Sequence, residues 1–64
     1  MYFNILAEMA RAGMTREVLA KKLHVSLPTL RDKLAGKTDF KLSEIKILIS
    51  IFGNNVSFEY LFEE

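Results

Sequence analysis

Apolar residues recur along this chain at the spacing of helices, and no stretch of useful length alternates as a strand does. Ile5, Met9 and Ala12 stand at i, i+4 and i+7 and predict a first helix over about residues 2–12, closed by Gly13. Thr15 is a good N-cap ahead of Val18, Leu19 and Leu23, the apolar stripe of a second helix over about 16–23. His24 and Val25 form a turn. Ser26 then caps a third helix over about 27–35, with Pro28 in the first turn, where its missing N–H matters little, and Gly36 at the end. The run KTDF reads as a loop. Leu42, Ile45, Leu48, Ile49 and Phe52 define the inner face of a fourth helix over about 42–52, which Gly53 closes. Lys41 occupies the position where Ser or Thr would form a capping box with Glu44, so that box is expected to be missing. GNN is a turn, and Ser57 caps a short last helix over about 58–62 carrying Tyr60, Leu61 and Phe62. The expected fold is all-α, a bundle of five short helices forming one domain over residues 1–64.

Some apolar residues exceed what those stripes use. Ile47 and Ile51 lie off the expected inner face of the fourth helix, Phe3 and Leu6 are a spare pair on the first, and Phe58 and Phe62 sit in the tail. A small domain hides only about 60% of the surface of its unfolded chain. Part of this surplus should therefore form an exposed patch, the usual mark of an interface. Ile47, Ile51, Phe58 and Phe62 are the candidate contacts of a C2 homodimer.

Half the residues are hydrophobic, which favours a packed core over a disordered chain. There is no cysteine and a single histidine, so no metal site or disulfide is expected, and no cofactor. No apolar run is long enough to span a membrane and the N-terminus lacks the basic start of a signal peptide; a cytoplasmic protein is expected. The net charge is +1, unevenly placed. Residues 1–46 hold all nine basic residues and five acids, whereas residues 47–64 hold three acids, Glu59, Glu63 and Glu64, and no base. A polyanion is therefore expected to bind the basic body, away from the acidic end. The carboxylates are scattered and no Gly-rich phosphate loop is present, so an enzyme is not expected.

The connection between the second and third helices is too short for an antiparallel hairpin and forces a large crossing angle, the helix-turn-helix arrangement over about residues 15–36. Ala20 provides the small residue at the crossing, Val25 an apolar residue after the turn, and Leu30 and Leu34 the inner face of the third helix. The spacing of Leu19-Ala20, Leu23, Val25-Ser26, Leu30 and Gly36 resembles the Cro and lambda-repressor family of helix-turn-helix domains. VSLPTLRDKLAGKTDF, followed by LSEI and YLF, resembles small prophage regulators. The resemblance spans roughly residues 4–62. His24 departs from it, because the family usually has Gly there to take a positive φ. Met9 and Leu34 stand where an Arg–Glu pair is common, and are read as core.

The resemblance implies that the third helix lies in the major groove of double-stranded operator DNA. Pro28, Thr29, Arg31, Asp32 and Ala35 face outward, with Leu27 and Lys33 on the flanks. Arg31 could donate to guanine, Asp32 accept from cytosine, and Leu27 touch a thymine methyl or pack as a rim residue. Thr15 and Arg16, at a helix N-terminus, and Lys37, Thr38 and Lys41, with Lys33, are candidate phosphate contacts. The implied function is a phage-type transcriptional repressor acting as a homodimer. The alternative is a modulator or antirepressor that binds another regulator protein, which Leu27, Pro28 and Asp32 at the third helix would suit.

Overall fold

Thr15, Ser26 and Ser57 fix where three helices begin. Their hydroxyl oxygens accept from the backbone N–H of Val18, Thr29 and Tyr60 at 3.2, 3.3 and 3.1 Å, each satisfying a donor with no partner inside its helix. The computed structural model describes residues 1–53 and 56–64, and Asn54 and Asn55 of the expected GNN turn lie outside it. The helices are α1 (Phe3–Arg11), α2 (Arg16–Leu23), α3 (Leu27–Ala35), α4 (Leu42–Phe52) and α5 (Phe58–Leu61). No strand occurs among the described residues, and no helix there is long and apolar enough to cross a membrane.

Three helices end in the same way. After α1, Gly13 takes a φ of +66° and Met14 N–H reaches the Met9 carbonyl at 2.8 Å. After α3, Gly36 takes +84° and Lys37 N–H reaches Asp32. After α2, the residue in the left-handed region is His24, at φ +60° and ψ +41°, and Val25 N–H reaches Ala20 at 3.0 Å. These are Schellman closures. His24 forms the turn at the energetic disadvantage of a side chain in left-handed space.

α2 packs against α3 and α4, and α1 against α5. Ile5, Met9, Leu19, Ala20, Leu23, Leu30, Leu34, Leu48 and Leu61 are buried at their meeting point. Met9 and Leu34 are core, as expected. Ala12, by contrast, is exposed, as is Val18.

α4 is rotated relative to the expected face. Glu44, Leu48 and Phe52 point inward, and Ile47 and Ile51 pack against the core beside them. Leu42, expected inside, is 67% exposed, and Ile49 is also exposed. The cause is Glu44. Its Oε1 accepts from Lys33 Nζ at 2.7 Å and from Lys41 N–H at 2.7 Å. The second bond is half of a capping box. The other half is absent because a lysine ammonium has no acceptor.

The loop after α3 carries a core residue of its own. Phe40 is buried between Tyr2 and Phe62, with ring centroids 5.7 and 5.6 Å away, and Tyr2 and Phe62 lie 5.5 Å apart. Phe58 joins through Phe62 at 4.9 Å. Such tilted and edge-on contacts favour the ring quadrupoles. Tyr2 N–H also donates to the Leu34 carbonyl at 3.0 Å, tying the N-terminal segment to the end of α3.

Candidate functional site

The rotation of α3 follows from Leu30 and Leu34, which are buried, and places Arg31 and Asp32 outside. Arg16 projects from the first turn of α2, and Lys37 follows the Gly36 turn. These three basic residues, from three different segments, line one open groove of about 500 Å³. Leu6 and Leu34 contribute apolar surface to it, and Asp32 is its one acidic lining residue. Three cations around a concavity, beside the positive N-terminal end of the α2 dipole, give a field suited to an anion.

Thr15, Pro28, Thr29, Thr38 and Lys41 are exposed, as a contact surface requires, and Leu27 is half-buried. Thr29 is already engaged: its Oγ1 accepts from the Ser26 hydroxyl at 2.9 Å. Thr15 Oγ1 is likewise committed to Val18 N–H.

Lys33 is a correction. It was expected among the phosphate contacts but is 5% exposed. Its ammonium donates to Glu44 Oε1 and to the Asp39 carbonyl at 3.1 Å, and stands 6.0 Å from the centroid of the Phe40 ring. Burial opposes ionisation of Glu44. The hydrogen bonds from Lys33 and from Lys41 N–H outweigh it, and the Glu44 carboxyl is held below its ordinary value of 4.5. The pair is an internal strut between α3 and α4, and Lys33 does not reach an external ligand.

Of the acidic end, Glu64 departs from the expected separation and turns back onto the end of α3: a Cβ built on Gly36 would lie 3.6 Å from Glu64 Oε2 and 3.9 Å from the Met1 nitrogen. Glu8 is buried and accepts from the Tyr60 hydroxyl at 3.0 Å, with Arg11 at 3.5 Å. This bond raises the Tyr60 phenol above its ordinary 10.0.

The expected dimer residues are mostly accounted for within one chain. Ile47, Ile51 and Phe62 pack on the core, so they are not surplus. Phe58 is 48% exposed, and Leu42 and Ile49 replace the inward pair on the open side of α4. Arg31 was legible as outward, but its grouping with Arg16 and Lys37 depends on how α1, α2 and α3 meet. No protein-family profile, curated protein or solved structure matches this chain.

Proposed function

We propose that this chain is a DNA-binding transcriptional regulator, a binding domain and not an enzyme, with α2 and α3 acting as a helix-turn-helix. The observation that carries this reading is the convergence of Arg16, Arg31 and Lys37 on one groove. The groove receives the phosphate backbone, while the outward first turn of α3, with Leu27, Pro28 and Thr29, meets base edges in the major groove. Those side chains offer few hydrogen bonds to bases, so affinity rests chiefly on phosphates and the sequence preference is shallow. Two copies joined through the α4–α5 end, where Leu42, Ile49 and Phe58 are exposed, present two α3 helices to a palindromic operator. The half-sites are about one helical turn apart.

The test is fluorescence anisotropy on duplex DNA across a salt series. Affinity is expected to fall with salt at a logarithmic slope of roughly −3 to −4, for three or four neutralised phosphates. Lys37→Ala weakens binding to all sequences alike and reduces the slope by about one. Absence of binding at low salt rejects the reading. Exposed Pro28 and Asp32 on α3 support the second reading, a surface for another regulator protein. In that case Pro28 and Asp32 substitutions abolish partner binding while Lys37→Ala has no effect.

A further inference from the structure

Glu64 lies beside Gly36, the residue before Lys37, and the reach of its backbone is constrained. Leu61 is fully buried, and Phe62 is held between Tyr2 and Phe40. Two residues beyond Phe62 span at most roughly 7 Å, so the Glu64 backbone stays close to that anchor. The carboxylate rests beside Gly36, the residue before Lys37, and near Met1, which lines the groove. No ion pair within 4 Å joins Glu64 to Lys37 among the described residues. The lysine is thus available to an incoming anion, yet it follows directly on Gly36, beside which the exposed Glu64 carboxylate stands. Beside the same turn, burial first, and then the charges of Glu64 and Asp39, raise the Tyr2 phenol above its ordinary 10.0.

We propose that Glu64 is an affinity-setting residue of the groove. Its carboxylate opposes the approach of a phosphate to Lys37 and holds DNA affinity below what Arg16, Arg31 and Lys37 alone would give. This rests on the reading of the groove as a phosphate site. The repulsion acts through solvent over several ångströms, so it is modest at low salt and fades as the Debye length falls from about 30 Å at 0.01 M to about 10 Å at 0.1 M. An anion reaching the groove elsewhere, at Arg16, feels it less.

The experiment compares the whole protein with Glu64→Gln, Glu59→Gln and Lys37→Ala on one random-sequence duplex, at low and moderate salt. Glu59→Gln makes the same change in net charge at a residue that does not stand beside Gly36. Thermal melts establish that all variants fold alike. Glu64→Gln is expected to bind roughly two- to threefold more tightly at low salt, with a smaller gain at moderate salt and a smaller gain for Glu59→Gln. If Glu64→Gln binds no more tightly than the unaltered protein, or Glu59→Gln gains as much, the proposal is overturned. In that outcome a weakened Lys37→Ala still upholds the phosphate site. If none of the proteins binds DNA, the phosphate reading and this inference fall together.

Discussion

α3 and α4 are neighbours of similar length, yet one wears its orientation in its sequence and the other does not. In α3, LPTLRDKLA, polar residues bound Leu30 and Leu34 on both sides, so only one face can turn inward. In α4, LSEIKILISIF, apolar residues cover well over half the circumference, and Ser43, Lys46 and Ser50 share the remaining sector. Hydrophobicity alone leaves several rotations of α4 nearly equal in energy. Glu44 favours the one observed, in which it turns inward to meet Lys33 and Lys41 N–H. A hydrophobic stripe defines a helix face only where polar residues delimit it. Where they do not, a single satisfied polar contact decides.

The strongest way to break this comparison is to remove the deciding contact. Lys33→Met leaves the Glu44 carboxylate buried with one partner fewer and is expected to cost about 3–5 kcal/mol in urea unfolding. Adding Glu44→Leu should recover much of that loss, because no charge then remains inside. A Lys33→Met protein of unchanged stability but weakened DNA binding would return Lys33 to the outer surface. The same pair sets an acid limit. The Glu44 carboxyl has a lower pKa folded than unfolded, so its contribution is fully present above about 4.5 and is lost as pH falls through the depressed folded value. Unfolding free energy followed by circular dichroism should decline over that window in the unaltered protein, and more shallowly in the double variant.

Next come the two faces of α4. Leu48, fully buried, is expected to lose about 2–5 kcal/mol as Leu48→Ala. Overpacking at Ala20, which is buried where α2 meets its neighbours, falls lower, at about 1–3 kcal/mol for Ala20→Leu. At the turn between α2 and α3, His24→Val places a β-branched side chain in left-handed space and should lose roughly 1–2 kcal/mol. Leu42→Ser is the smallest, within about 0.5 kcal/mol, since Leu42 is largely exposed. If Leu42→Ser destabilised as strongly as Leu48→Ala, α4 would have the face its hydropathy suggests.

Three helix starts were legible because capping is local: Thr15, Ser26 and Ser57 each act within three residues, whereas α1 and α4 were legible from their apolar spacing. The left-handed turn at His24 was expected through the resemblance alone, whose members usually hold Gly there. The buried ion pair was not. Lys33 and Glu44 are each read as solvated when taken singly, and only their meeting across eleven residues makes either tolerable inside. Phe40 and Tyr2 were overlooked because periodicity says nothing about a loop or a chain end, although three aromatic rings gather there. In the site, the exposure of Arg16 and Lys37 could be read from helix ends. The shared groove and the return of Glu64 to Gly36 could not, as both depend on packing between distant segments.

The burial of Phe40, with the Lys33 bond to the Asp39 carbonyl, has a consequence for the thermodynamics of binding. The segment bearing Lys37, Thr38 and Lys41 is tied down at 39 and 40 before any ligand arrives. Ordering the backbone of a free residue opposes association by about 1–2 kcal/mol at room temperature. Here most of that conformational entropy is already lost on folding, so a phosphate would meet a preorganised loop. Phe40→Ala should therefore weaken binding mainly through a less favourable entropy in calorimetry, even though Phe40 itself touches no ligand.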